Sequence, residues 1–143
     1  MTTPKNNLHD QLSAYLSPRL PFYLDLLRQM VSINSFTANA AGVNAVGDLT
    51  AAAFADLGFT AERIQSASPA YGCHLVLTRS ARSASGDAPK IGLVSHLDTV
   101  FPPGTFEGYR VDGKLRRGPG VLDMKGGLVV IALALKAVAS TVG

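Results

Sequence analysis

With 143 residues, 47% of them hydrophobic and 16% charged, the sequence has the balance of a globular chain with one core, which excludes a disordered chain or several domains. The net charge of +3, from 13 basic against 10 acidic residues, is scattered along the chain with no basic run and little aromatic interleaving, which argues against a nucleic-acid partner. A single cysteine, Cys73, excludes an internal disulfide and a multi-cysteine metal knuckle, so any metal must rest on His, Asp and Glu.

The opening MTTPKNNLHDQLSAYLSPRL lacks the apolar stretch of a secretory signal and reads as a polar terminal segment. Ser17 and Pro18 suit an N-cap and first helical position, after which Leu20, Tyr23 or Leu24, Leu27 and Met30 or Val31 recur at helical spacing, predicting a helix to about Ile33. A polar loop, NSFTANAAG, follows. Val43, Val46, Leu49, Ala53 and Leu57 then repeat the helical pattern, with Gly58 where a terminating glycine belongs. FTAERI and CHLVLTR read as strands, and SARSASGDAP as a loop of small polar residues. The next segment, KIGLVS, is an unbroken apolar run that predicts a strand buried on both faces. Asp112-Gly113, flanked by extended residues, predicts a tight hairpin.

The final KGGLVVIALALKAVAST predicts a helix apolar on nearly every face. Its most apolar run stops at Lys136, far short of the roughly 20 residues of a membrane span. The expected architecture is α/β, with helices packed on a mixed, largely parallel central sheet. The preceding elements are too few to cover the last helix, so the expectation is a truncated domain, cytoplasmic and without a membrane partner.

Two motifs carry the chemistry. In SHLDTV, His96 and Asp98 stand two apart, so on an extended segment they project to the same side and the carboxylate can reach the ring. Imidazole and carboxylate are zinc ligands, and a ligating histidine has its other nitrogen fixed by a carboxylate or carbonyl. On local grounds alone the motif is weak, and His96 reads first as a residue that packs or caps a turn. In GPGVLDMKGG, Asp123 lies between Gly118-Pro119-Gly120 and Gly126-Gly127. It reads either as the N-cap of the last helix or as a carboxylate around which backbone approaches closely. Lys125 reads as a solvated helix-start residue, and His9 and His74 as structural. Phosphate-loop and serine-hydrolase motifs fail: Lys125 follows Met124 and precedes Gly126, Asp123 stands where a dinucleotide loop needs glycine, and G-x-S-x-G is absent.

Together, SHLDTV and GPGVLDMKGG resemble the zinc-dependent peptidase family that includes acetylornithine deacetylase, succinyl-diaminopimelate desuccinylase and the glutamate carboxypeptidases. The similarity extends upstream through LLRQMVSINSFTANAAGVNAVGDLTAAAFADLGF, and HLDTVFPPGTF is closest to the glutamate carboxypeptidase branch. The resemblance implies that His96 and Asp123 are metal ligands, with Asp123 bridging two zinc ions, for which cobalt can substitute. It implies that Asp98 is the catalytic residue orienting His96, and that the Asp123-Met124 peptide is cis. It also implies hydrolysis of an amide in a small peptide-like or N-acyl amino acid substrate. Two metals would polarise the carbonyl and acidify a water whose proton passes to a glutamate.

That glutamate belongs, in the family, to a Glu-Glu pair beyond DMKGG, and the only glutamates here are Glu62 and Glu107. The lid and dimerisation domain, the later acidic ligand and the C-terminal histidine are also missing. Residues 1–143 therefore read as the N-terminal portion of a catalytic domain, inactive alone and homodimeric at full length. The alternative is a non-catalytic truncated α/β module that binds a partner.

Overall fold

A computed structural model describes residues 8–80 and 90–141, so the loop expected after Ser80 lies outside the described residues. Four helices dominate. Helix α1 (Leu8–Leu16) runs through a 3-10 turn (Ser17–Arg19) into α2 (Leu20–Val31), followed by α3 (Ala40–Ala55) and, at the end, α4 (Lys125–Thr141). Two hairpins lie between α3 and α4: β1 (Thr60–Ile64) with β2 (His74–Thr78), and β3 (Arg110–Asp112) with β4 (Leu115–Arg117), both antiparallel.

The core is helical. From α2 come Tyr23, Leu26, Leu27, Met30 and Val31. Val46 and Phe54 of α3 meet them, with Leu57 just beyond, as do Val129 and Ala132 of α4. The α2 set recurs at three- and four-residue spacing, as do Val43, Val46, Thr50 and Phe54 on the buried side of α3, the period that gives a helix one buried stripe. Helix α3 is capped by Asn39, whose Oδ1 accepts from Gly42 N (3.1 Å) while its Nδ2 donates to Asn34 O (2.7 Å). Both bonds vanish in Asn39→Ala. Denaturant unfolding of that variant should show a loss of about 1–2 kcal/mol.

Several expectations are corrected. The opening segment is not merely polar and terminal, because Leu8–Leu16 is helical, and α1 packs against α4 with Ser140 Oγ donating to Tyr15 Oη (2.9 Å). Ser17 does not cap a helix: its hydroxyl donates back to Ser13 O (2.9 Å), because the chain arrives already helical.

Residues 90–95 form no strand. Ile91 and Val94 are 85% and 93% exposed, where burial on both faces was expected. An extended segment becomes a strand only where a neighbour supplies hydrogen bonds, and among the described residues nothing pairs with it. A largely parallel central sheet is therefore not present among them. The parallel pairing they contain is a single bridge, Phe36 to Thr99. Helix α4 is buried along one side through Leu128, Val129, Ala132 and Ala137, but Val130 and Val138 are exposed. No described helix is long and apolar enough to cross a membrane.

Candidate metal centre

The segment after residue 95 is pinned to the loop following α2. Thr99 N donates to Ser35 O (2.8 Å) and Thr37 N donates to Thr99 O (3.1 Å), a short ladder that buries Ser35 and Thr99 and fixes the backbone beside Asp98. Asn34 extends the anchor by donating to Phe101 O (3.3 Å) and to Glu107 Oε1 (3.0 Å). His96 and Asp98 thus sit on a chain tied to the helical core even though no strand precedes them.

The second half of the site is the turn before α4. Gly118 and Gly120 hold φ of +153° and +81°, a left-handed path closed to most side chains. Gly126 N reaches back to Gly120 O (3.1 Å), clamping the turn to the helix start. The Asp123-Met124 peptide is cis.

Lys125 departs from expectation: it is fully buried, with Nζ donating to Ile33 O (2.9 Å), and is not a solvated helix-start residue. A side chain that can reach down from the helix start to a free carbonyl at the end of another element buries its stem. Burial lowers its pKa to about 8.

These two halves bring His96 and Asp123 together. His96 Nε2 lies 2.9 Å from Asp123 Oδ1, while Nδ1 lies 3.2 Å from Asp98 Oδ1 and 3.0 Å from the Asp98 carbonyl oxygen. Asp123 chiefly, through its hydrogen bond to the ring, and Asp98 with it raise the His96 pKa, against the opposing effect of partial burial. The carboxylate of Asp123 is therefore spent on the histidine, 27 residues away in sequence, rather than on capping α4.

The three side chains line a cleft of about 290 Å³ whose apolar wall includes Phe101, Phe106 and Leu122. A neighbouring cavity of about 300 Å³ shares Phe106 and Leu122 and carries Arg110, Arg116 and Arg117. His9 lies on the surface of α1 near Asp10, and His74 opens β2; neither is at this site.

The donor chemistry suits a zinc ion in part. A ring nitrogen and a carboxylate point at one place, and the far nitrogen is occupied by an aspartate, the partner that fixes a ligating ring. A catalytic zinc needs about three protein ligands, and among the described residues no group of three or more His, Cys, Asp or Glu side chains is placed to hold a metal. His96 and Asp123 supply two donors of the right kind, fewer than such a site needs.

Sequence reasoning missed Thr37, whose hydroxyl donates to Asp98 Oδ2 (2.5 Å) from 61 residues away. Nothing local to NSFTANAAG distinguishes this hydroxyl from its polar neighbours, since the pairing depends on the ladder between residues 35–37 and 99.

No family model matches the chain. It is similar to carboxypeptidase G2 of Pseudomonas sp. (strain RS-16), with 35% identity over 118 residues covering 81% of this chain. The match spans 28% of the length of that protein, so the similarity relates this chain to part of a carboxypeptidase.

Proposed function

We propose that this chain is the N-terminal portion of the catalytic domain of a longer zinc-dependent metallopeptidase or amidohydrolase. Its substrate is a small peptide-like or N-acyl amino acid, cleaved at an amide in the manner of a glutamate carboxypeptidase. The observation that carries this reading is the His96 ring, backed by Asp98 on one nitrogen and facing the Asp123 carboxylate with the other. The similarity to a carboxypeptidase supports it.

His96 Nε2 and the Asp123 oxygens would hold the metal, with Asp123 shared between two ions, and Asp98 keeps the ring in register. When bound, zinc supplies Lewis acidity toward an amide carbonyl and a water. Phe101, Phe106 and Leu122 give one side of the cleft apolar surface for a substrate to contact. The proton-accepting glutamate must come from elsewhere in the longer protein, because Glu62 lies in β1 and Glu107 is bonded to Asn34.

In that protein residues 90–95 would pair within a mixed, largely parallel sheet. Their exposed apolar side chains are consistent with such neighbours, and a lid domain and homodimer would complete the enzyme.

Calorimetry with zinc chloride tests the site. The isolated chain should bind weakly, because metal affinity follows ligand count, and His96→Ala or Asp123→Ala should remove the binding. Tight uptake of two zinc ions would show the ligand set to be wrong, and unchanged binding in both variants would refute a shared site. A second reading, a non-catalytic module that binds a partner, is favoured by the exposed Ile91, Leu93 and Val94. Zinc-dependent amide hydrolysis by the longer protein, lost on His96→Ala, decides against it.

A further inference from the structure

We infer that Thr37 is a positioning residue that holds Asp98 in the orientation that fixes the His96 ring, an inference that rests on the reading of His96 as a metal ligand. The two oxygens of Asp98 have different partners. Oδ1 faces His96 Nδ1 at 3.2 Å, and Oδ2 accepts from Thr37 Oγ1 at 2.5 Å. The bond to the ring is the longer of the two, and the Asp98 side chain is 31% exposed, so water competes for the carboxylate. A carboxylate held at one oxygen by a long bond can turn about its side-chain torsions. A short, charge-assisted O–H···O bond at the other oxygen stops it.

The hydroxyl has one proton and two candidate acceptors. Thr99 O lies at 3.3 Å and is neutral, whereas Asp98 Oδ2 is nearer and charged, so the proton goes to Asp98. The hydroxyl itself is held in place without help from its own bond. Thr37 N donates to Thr99 O (3.1 Å), and Thr99 N donates to Ser35 O (2.8 Å), so the main chain delivers Oγ1 to the carboxylate. The result is a chain of contacts from Thr37 through Asp98 and His96 to Asp123, with Thr37 as its anchor in the core-tied loop.

The competing account is that Thr37 only completes the loop through Thr99. Four variants separate the two: Thr37→Val, Thr37→Ser, Asp98→Ala, and Thr37→Val combined with Asp98→Ala. Two readouts are taken on the whole chain. Nitrogen-15 NMR of the ring at a single alkaline pH gives the share of neutral His96 protonated on Nδ1, and zinc chloride titration at neutral pH gives affinity.

Thr37→Val should lower the Nδ1-protonated share and weaken zinc binding by about three- to ten-fold, less than the roughly ten- to hundred-fold of a ligand's direct partner because Thr37 acts one contact further out. Thr37→Ser should restore both, and Thr37→Val should add nothing once Asp98 is alanine. Equal effects of Thr37→Val with and without Asp98, or none while Asp98→Ala changes both readouts, overturn the inference alone. If Asp98→Ala changes neither, the Asp98 carbonyl oxygen at 3.0 Å from Nδ1 holds the ring by itself and this inference falls, while unchanged zinc binding in His96→Ala is the result that removes the reading of His96. Should the valine variant fail to fold, Thr37→Ala repeats the test, and unfolding of both overturns the inference in favour of a structural role.

Discussion

Alanine at Gly126 should destabilise the chain by roughly 3 kcal/mol and move Asp123 away from His96, whereas alanine at Gly127 should change stability by less than about 1 kcal/mol. The two glycines are adjacent, yet their surroundings differ. A methyl group on Gly126 would overlap the carbonyl oxygen of Val121, which belongs to the turn carrying Asp123 and cannot retreat without moving that turn. A methyl group on Gly127 meets Cε and Cγ of Met124 at 3.2 and 3.3 Å, side-chain atoms that need to give by only a few tenths of an ångström and are not backbone. At Gly127 the better helix propensity of alanine offsets the residual crowding, whereas at Gly126 it is outweighed. Denaturant unfolding measures the stabilities. The His96 ring nitrogen shifts report whether Asp123 still faces Nε2. Equal stabilities for the two variants would show that the turn yields freely and does not set the position of Asp123.

This contrast shows which parts of the molecule were legible in the sequence. Where a feature is set by a few neighbouring residues, it was: the span of α4, the end of α3 near Gly58 with its φ of +81°, and the hairpin signalled by Asp112-Gly113, although its turn is one residue later, at Gly113-Lys114, with Asp112 paired to Leu115 and Gly113 at φ +56°. The meeting of His96 and Asp123 came from motif resemblance, since no local rule joins residues 27 apart.

Features set by distant partners were not legible. Apolar residues 90–95 have the composition of a buried strand, but composition does not supply the neighbour whose hydrogen bonds make one. Lys125 looked solvated because lysine usually is; its burial depends on an open carbonyl at Ile33, 92 residues earlier. Thr37 is the same kind of case, a hydroxyl whose role is created by the ladder that brings Asp98 to it. Residues 34–37 act as the floor on which the first motif stands, while α4 and its glycine turn carry the second, and the two are joined through the core and through Ile33, just after α2, whose carbonyl accepts from Lys125.

Lys125 gives the second large effect. Lys125→Ala should cost roughly 3 kcal/mol at neutral pH, because a fully buried stem that packs against Gly120 would leave a cavity. Lys125→Met keeps most of the volume and should stay within about 1.5 kcal/mol of the parent. It loses the donor to Ile33 O, but it no longer buries an ammonium group that has one neutral partner.

The two differ in pH dependence. Burial lowers the Lys125 pKa from 10.5 to about 8, so the folded chain favours the neutral amine. Below about pH 8 both folded and unfolded lysines are charged, and stability sits on its lower plateau. Between about 8 and about 10.5 the unfolded chain binds more protons than the folded one, so stability must rise with pH, by roughly 3 kcal/mol in all. Other groups titrate in that window, so the quantity to measure is the stability of the parent minus that of Lys125→Met, with a chelator present to keep metal out of the neighbouring site. That difference should climb across the window and be flat below it. Parallel stability curves would mean that Lys125 keeps its charge at its ordinary pKa, and that water reaches the amine despite its burial.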